Sequence, residues 1–177
     1  MIFQETKLAG VFEIQLEIQT DERGFFARSW CRRELEREGL NSDLAQCSIS
    51  FNSRRGTLRG MHYQAGDYAE TKLVRCTKGA IYDVAVDMRP SSVTFMQWVG
   101  VELTAANRRA LYIPEGCAHG FLTLDDETEV FYQISEFYHP EAARGVRWND
   151  PLFRIYWPGG VEVISDRDRT YPDFRPS

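Results

Sequence analysis

The residues best suited to chemistry in this sequence are two histidines, a lysine and a tyrosine. His62 lies in the glycine-flanked stretch Gly56–Gln64, His119 ends the segment Pro114–His119, and Lys72 and Tyr132 lie on other apolar segments. An imidazole can act as a general base, an ammonium can stabilise a developing oxyanion, and a phenol can donate a proton. If the fold gathers these groups at one cavity, they predict movement of a proton at a carbon beside a ketone.

Each of these residues also has a purely structural interpretation. An isolated histidine such as His62 is usually a hydrogen-bonded core residue, and Tyr132 alone would be a core tyrosine bonded to the backbone. Lysine is almost never fully buried without a partner, yet alternation with Val74 and Cys76 places Lys72 on a core-type face. The structural interpretation of Lys72 is an edge-strand lysine whose ammonium lies in solvent. The combination of the three residues favours the catalytic interpretation.

Two arginines are candidates for binding an anionic substrate. Arg59 precedes His62 by three positions, so strict strand alternation sends their side chains to opposite faces. Gly60 permits a β-bulge, which would bring both toward one cavity. Arg23 lies beside a turn glycine and can present a guanidinium to a phosphate, although a surface arginine is the simpler interpretation.

The spacing of the two histidines raises the question of a metal. The segment Pro114–His119 has the P-x-G-x-x-H form of the second cupin signature, and Gly56–His62 has the spacing of the first. Metal-binding cupins carry a second histidine where this chain has Gln64 and an asparagine where it has Thr123. Glu70 is near the usual acidic position but not at it. A stable divalent site needs three or more well-placed ligands, so we expect no metal.

Composition narrows the class of protein. The 177 residues are 43% hydrophobic, which is enough for one core-forming domain that we expect to span 1–177. The net charge of −5 without basic runs argues against a nucleic-acid partner. The four cysteines form no CxxC pair, and the start of the chain resembles no signal peptide, so we expect reduced thiols and a cytoplasmic location. The sequence contains no apolar run long enough to cross a membrane.

Short segments rich in β-branched and aromatic residues predict an all-β fold. Turn residues separate them about every 8–12 positions, which is typical of a sandwich or barrel. The predicted strands are Val11–Ile18, Phe25–Trp30, Lys72–Thr77, Ala80–Met88, Thr94–Leu103, Ala110–Ile113, Gly120–Leu124 and Glu129–Glu136. A helix is predicted over Arg32–Glu38 with Gly39 as its C-cap, and one helical turn over His139–Arg144. The tail from Asn149 is expected to wrap over this domain.

These residues resemble the dTDP-4-dehydrorhamnose 3,5-epimerase family, which are cupin-type sugar-nucleotide epimerases. The resemblance covers nearly the whole chain and is carried by Asp21–Phe26, Gln46 with Ser50, Gly56–Gln64, Lys72–Arg75, Ala118–Phe121, Tyr132, Arg147–Pro151 and Ile164–Asp168. It implies a cupin jelly-roll β-barrel or sandwich with one or two short helices. It also implies a homodimer that uses no metal and no redox cofactor, and a nucleotide-linked 4-keto-6-deoxyhexose as substrate.

The resemblance assigns roles to individual residues. It places the general base on His62, the carboxylate that orients it on Asp168, the cation over the keto oxygen on Lys72, and the opposing proton donor on Tyr132. Substrate-contacting positions fall on Arg23, Arg28, Gln46, Ser48, Arg59, His119 and Arg167. Phe26 is expected to pack against the nucleotide base, from the same chain or from a partner subunit.

Three departures from the family pattern concern the substrate. The family usually has a glutamate where this chain has Arg28, often an asparagine at Ser48, and a glutamate at Ala143. Exchanging a carboxylate for a guanidinium alters what that wall of a pocket accepts. The resemblance implies epimerisation at C3, at C5 or at both, and dTDP-4-dehydro-6-deoxyglucose is the expected substrate, with dTDP-4-dehydrorhamnose as its product. A single-centre epimerase acting on a cytidine or guanosine diphosphate sugar is the alternative, and a 3,4-ketoisomerase, a metal-dependent cupin or a non-catalytic sugar-binding cupin are further ones.

Overall fold

Two β-sheets face each other in the computed structural model, which describes residues 1–176. The strands are β1 (Ile2–Glu5), β2 (Phe12–Gln15), β3 (Gln19–Asp21), β4 (Gly24–Phe26), β5 (Gln46–Asn52), β6 (Thr57–Gln64), β7 (Lys72–Lys78), β8 (Ala80–Asp87), β9 (Trp98–Thr104), β10 (Ala110–Ile113), β11 (Cys117–Thr123), β12 (Thr128–Ile134), β13 (Ala143–Gly145) and β14 (Val163–Ile164). The helices are α1 (Arg32–Arg37) and α2 (Asp166–Arg169), and a 3₁₀ turn covers Gly66–Tyr68. No helix within residues 1–176 is both long and apolar enough to cross a membrane.

The order of the strands gives a jelly roll. The first sheet runs β1-β2-β10-β7-β12-β5, and the second runs β13-β6-β11-β8-β9 with β14 added in parallel to β6. Strands β3 and β4 form a separate hairpin. The predicted all-β jelly roll with one or two short helices is therefore confirmed.

Alternation along the strands builds the core between the sheets. Val74, Leu111 and Val130 of the first sheet pack with Ile81 and Phe121 of the second, and all five are 0% exposed. Burying such side chains contributes about 1.5–3 kcal/mol each. This core fills one end of the sandwich, and the polar residues of the same strands face a cavity at the other end.

Helix α1 covers part of the outer face of the first sheet. Its buried Leu35 packs with Leu73, Ala110 and Tyr112, which point away from the central core. Gly39 has a φ of +71° and ends the helix as predicted, since the next N–H returns to the Leu35 carbonyl at 3.0 Å. The cluster of residues that pack around the helix includes none from β5 or β12, so the helix leaves the outer faces of these two strands uncovered.

The bulge that the sequence allows at Gly60 is present. His62 pairs with His119 and Arg59 pairs with Phe121, so three steps along β6 match two along β11. Gly60 has a φ of +128°, and a Cβ there would lie 2.5 Å from the Cα of Gly120. Only glycine fits this conformation and this approach. The extra residue turns Arg59 and His62 toward the same cavity.

Several predicted boundaries differ from the structure. The strand predicted from Thr94 begins at Trp98, because Asp87 accepts hydrogen bonds from the Ser92 and Thr94 hydroxyls and holds residues 92–97 in turns. The strand predicted over 11–18 ends at Gln15, and the one predicted over 25–30 ends at Phe26. The helical turn predicted over 139–144 is a turn that leads into β13.

Candidate active site

A cavity of 720 Å³ opens between the two sheets. Strands β5, β7 and β12 of the first sheet form one wall, strands β6 and β11 of the second sheet form the opposite wall, and α2 with β14 closes one side. Nine of the predicted site residues line it, namely Gln46, Ser48, Arg59, His62, Lys72, His119, Tyr132, Arg167 and Asp168. Ser50, Glu70, Tyr138, Ala143 and Arg144 also contribute to its lining.

His62 and Asp168 form a close pair although they are 106 positions apart. The Nε2 atom of His62 lies 2.6 Å from Oδ1 of Asp168, and the other carboxylate oxygen accepts the Gly60 N–H at 3.1 Å. Burial would raise the pKa of Asp168, but the hydrogen bonds and charge of His62 and the Gly60 N–H hold the pKa below its ordinary value. An ionised Asp168 accepts a hydrogen bond from the Nε2–H group of His62. In a neutral imidazole this leaves Nδ1 as the basic nitrogen.

The C-terminal segment of the chain positions Asp168 beside His62. Strand β14 pairs in parallel with the start of β6, and α2 follows at once. The Ser165 hydroxyl caps α2 by accepting the Asp168 N–H at 3.1 Å. Asp168 is therefore 4% exposed and fixed by both its backbone and its carboxylate. Helix α2 and β14 were not predicted, because segments of four and two residues carry too little periodicity.

Lys72 is buried in the opposite wall. It is 8% exposed, and its ammonium donates to the His62 carbonyl at 3.2 Å and lies 2.8 Å from Oε1 of Glu70. The solvent-exposed alternative for Lys72 therefore does not describe this structure. Its partner Glu70 entered the sequence analysis only as a doubtful metal ligand.

Tyr132 faces the cavity from β12. Burial raises the pKa of its phenol, and the negative charge of Asp83 raises the pKa further. The phenol is therefore protonated throughout the neutral pH range and can donate a proton. Because Tyr132 lies in the first sheet and His62 in the second, a phenol and an imidazole line opposite walls of the cavity.

His119 is also paired with a carboxylate, that of Asp83. Its Nε2 atom lies 2.7 Å from Oδ1 of Asp83, and its ring packs edge-on against Tyr132 with 5.9 Å between ring centroids. Asp83 is 0% exposed, and its Oδ2 is the one buried side-chain polar atom in residues 1–176 without a hydrogen-bond partner. Sequence analysis missed Asp83, although its alternation with Ile81 and Ala85 placed an aspartate among inward-facing residues.

Three cations line the cavity besides Lys72. Arg59 donates to the Asn52 side chain at 2.7 Å, and Arg167 donates to the Tyr171 hydroxyl at 2.9 Å. Arg144 bonds to nearby backbone carbonyls and was not singled out from the sequence. Guanidinium groups bind phosphate oxygens in a bidentate manner, so this wall suits a diphosphate.

The structure places three predicted substrate residues away from this cavity. Arg23 on the β3–β4 hairpin pairs with Asp21, and its side chain is 85% exposed. Phe26 is 70% exposed, and Arg28 pairs with Glu34 at 2.8 Å. None of the three lines the cavity of their own chain within residues 1–176.

The possible metal-donor groups in the described part of the chain do not form a metal cluster. Within residues 1–176, no three histidine, cysteine or acidic side chains are grouped so that they could hold a metal ion. The Nε2 atoms of His62 and His119 are each directed to a separate carboxylate. The arrangement instead gathers an imidazole, an ammonium and a phenol around one cavity.

Comparison with known proteins gives a consistent result. The family model for dTDP-4-dehydrorhamnose 3,5-epimerase matches residues 5–176. The dTDP-4-dehydrorhamnose 3,5-epimerase of Escherichia coli is 46% identical over 166 residues, covering 92% of this chain and 89% of that protein. The crystal structure of the Bacillus anthracis enzyme with TDP and PPi bound has a TM-score of 0.93 at 40% identity, covering 98% of this chain and 99% of that one. That of the Legionella pneumophila enzyme in complex with dTDP-4-keto-L-rhamnose has a TM-score of 0.87 at 38% identity, with coverages of 94% and 89%.

Proposed function

Because this chain belongs to the dTDP-4-dehydrorhamnose 3,5-epimerase family, we propose that its cavity epimerises a thymidine diphosphate-linked 4-keto-6-deoxyhexose at C3 and C5. The chain is accordingly an isomerase. The observation that carries the proposal is the placement of His62 and Tyr132 on opposing walls of one cavity, with the ammonium of Lys72 3.2 Å from the His62 carbonyl oxygen.

The reaction begins with removal of a proton. The C4 ketone acidifies the C–H bonds at C3 and C5, and Nδ1 of neutral His62 takes one of these protons. Asp168 holds the ring in this tautomer and stabilises the imidazolium that forms. General-base help of this kind contributes about 10²–10⁴-fold to the rate.

The negative charge then collects on the keto oxygen. Lys72 offers a buried ammonium to this oxygen, and a preorganised donor in such a site contributes about 10²–10³-fold. Tyr132 returns a proton to the opposite face of the carbon and so inverts the centre. No electrons are gained or lost overall, so the reaction requires no redox cofactor.

The nucleotide diphosphate supplies the binding energy for orientation. We propose that Arg59 and Arg167 bind the diphosphate; Arg144 lines the same cavity. Gln46 and Ser48 of β5 and His119 of β11 contact the remainder of the substrate. Arg144 supplies a further guanidinium to the wall where the family glutamate is replaced by Ala143.

Proton NMR in D₂O tests the reaction and its substrate. We expect the protein to exchange the C3 and C5 hydrogens of dTDP-4-keto-6-deoxyglucose and to form the rhamno-configured product. Cytidine and guanosine diphosphate analogues serve as comparisons. Exchange at one carbon only would indicate a single-centre epimerase, preference for another nucleotide would reassign the substrate, and no exchange with any of them would contradict the proposal.

We also propose that the protein is a homodimer. Strand β5 is an edge strand of the first sheet, and its outward side chains Ile49 and Phe51 are 63% and 52% exposed. Ile49 is paired with Phe131 on the neighbouring β12, so the apolar surface continues inward from the edge. An uncovered apolar face on an edge strand is typical of an interface.

The β3–β4 hairpin provides the second reason for a dimer. Arg23, Phe26 and Arg28 project from it or follow it into solvent, and Phe25 is a further aromatic residue that is 47% exposed. In a two-fold dimer, a residue that projects from one chain can complete the cavity of the other. We propose that these residues bind the nucleotide in the partner's cavity.

A mixing experiment distinguishes this arrangement from a cavity made by one chain. We expect His62→Asn and Arg23→Glu each to be inactive alone, and their mixture after refolding to recover about a quarter of wild-type activity. Random pairing gives half mixed dimers, each with one intact site of two. A mixture of His62→Asn with Asp168→Asn is the control. One chain supplies both His62 and Asp168 to its cavity, so each cavity of a mixed dimer carries one of the two changes and no recovery is expected. Recovery no greater than the sum of the separate variants would contradict the shared site.

The four cysteines are unpaired in the structure, which is consistent with a reducing compartment. Cys31, Cys47, Cys76 and Cys117 all carry free thiols. Burial raises the pKa of Cys76 to about 11 and that of Cys117 to about 12, so both are unreactive core thiols. The exposed Cys47 and the half-buried Cys31 are also free. We propose a cytoplasmic location, where accessible thiols such as these stay reduced.

A further inference from the structure

Tyr171 is the hydrogen-bond partner of a proposed phosphate-binding residue and has no role in the reaction described above. Its hydroxyl accepts a hydrogen bond from Nε of Arg167 at 2.9 Å. Arg167 lines the cavity, whereas Tyr171 is not among the lining residues within residues 1–176. An effect of the Tyr171 hydroxyl on a ligand in this cavity would therefore pass through Arg167.

The nitrogen that Tyr171 engages decides which edge of the Arg167 guanidinium is left for a ligand. A guanidinium has one N–H on Nε and two on each terminal nitrogen, and it binds an oxyanion through two parallel hydrogen bonds. The two bonds can come from Nε and one terminal nitrogen, or from both terminal nitrogens. Because the Nε–H of Arg167 is donated to Tyr171, the second arrangement is the one that remains.

Arg167 lies on the surface, so packing alone does not fix its orientation. An exposed arginine side chain samples many rotamers, and ordering it when a ligand binds lowers the affinity. A hydrogen bond that holds the guanidinium plane before the ligand arrives removes part of this cost. Tyr171 provides such a bond from four positions further along the chain.

Tyr171 is itself held in place. A Cβ on Gly145 would lie 2.3 Å from Cζ of Tyr171, so the phenol ring packs directly on the backbone of β13. The Tyr171 carbonyl accepts a hydrogen bond from Nη1 of Arg147 at 3.3 Å. The ring also lies edge-on to that of His62, with 6.3 Å between the ring centroids. The hydroxyl can therefore act as a fixed acceptor.

The ring and the hydroxyl of Tyr171 make separate contacts. The ring packs on Gly145 and lies beside His62, while the hydroxyl bonds to Arg167. Removal of the hydroxyl alone therefore leaves the packing that docks the end of the chain, and with it the position of Asp168.

We propose that Tyr171 is a positioning residue of the diphosphate site, whose hydroxyl holds Nε of Arg167 so that the two terminal nitrogens bind a phosphate group of the substrate. The inference rests on the proposed function, because it places the diphosphate at Arg167. It predicts an effect on substrate binding and none on the proton-transfer steps.

Removal of the hydroxyl tests this inference. We expect Tyr171→Phe to weaken the binding of thymidine diphosphate, measured by calorimetry, by about three- to tenfold and to raise KM by a similar factor. The kcat for exchange of the C3 and C5 hydrogens should change less than about twofold, because the base and its carboxylate are unaltered. Tyr156→Phe is the matched control, since Tyr156 is 65% exposed and lies outside the cavity lining, and it should equal wild type.

A double-mutant cycle shows whether the effect passes through Arg167. In an Arg167→Met background, the additional change Tyr171→Phe should alter the dissociation constant of thymidine diphosphate less than about twofold. An undiminished further loss in that background would overturn the inference. Wild-type affinity in Tyr171→Phe or in Arg167→Met would do the same, as would a fall in the kcat of Tyr171→Phe as large as its rise in KM.

The binding measurement also separates this inference from the proposed reaction. A wild-type protein that binds thymidine diphosphate but exchanges neither hydrogen would refute the proposed epimerisation, whereas the role of Tyr171 would still be decided by the dissociation constants. The two failures are therefore distinguishable.

Discussion

Replacement of His62 by asparagine is expected to lower the exchange of the substrate's C3 and C5 hydrogens with D₂O by about 10²–10⁴-fold, because it removes the imidazole that the proposed reaction uses as its base. Asparagine keeps a polar side chain of similar size next to Asp168, so the tail that carries the carboxylate should stay docked. Proton NMR with dTDP-4-keto-6-deoxyglucose measures the exchange at each carbon separately.

The control for this variant uses the third histidine. His139 stacks on Tyr68 and lies 3.2 Å from Glu141 outside the cavity lining, so His139→Asn should exchange at the wild-type rate. Binding of dTDP by His62→Asn should also match wild type, which would show that the cavity is intact. Exchange that persists in His62→Asn with an intact cavity would show that the base has been assigned to the wrong residue.

Replacement of Tyr132 by phenylalanine is expected to separate proton removal from inversion. The hydroxyl is lost but the ring that packs against His119 remains. His62 can still remove a proton and return a deuteron to the same face, so deuterium should enter C3 and C5 at a rate within about tenfold of wild type. Formation of the inverted product should fall by about 10²–10⁴-fold, because the acid on the opposite face is missing.

A buried tyrosine elsewhere provides the comparison. Tyr112 packs under α1 and donates to the Asn41 carbonyl at 3.3 Å, and Tyr112→Phe should leave both rates unchanged. Equal losses of exchange and inversion in Tyr132→Phe would argue that Tyr132 supports the fold of the cavity rather than donating the proton.

The strands that build the site were largely predictable from the sequence. Alternation of polar and apolar residues placed Lys72 and Tyr132 on inward faces, and the structure puts both in the cavity wall. The strand Ala110–Ile113 has the predicted boundaries. Arg59 required the bulge at Gly60, which the glycine allowed but could not by itself establish.

The remaining parts of the site depend on contacts that leave no local pattern. Asp168 was assigned by resemblance alone, because α2 and β14 are too short to be detected and are stabilised by pairing with β6. The partnership of Glu70 with Lys72 joins a loop residue to the first residue of a strand, and no periodicity reports it. Asp83 carried a usable signal, since an aspartate in an inward-facing position requires a buried partner.

The late position of Asp168 along the chain has a consequence for how the protein is made. A ribosome adds His62 well before it adds the carboxylate, which follows His62 by 106 residues. A product of translation that stops short of residue 168 therefore carries the imidazole without the partner that sets its tautomer. We expect such a product to be inactive, so the last residues of the chain decide whether a completed polypeptide can work as an enzyme.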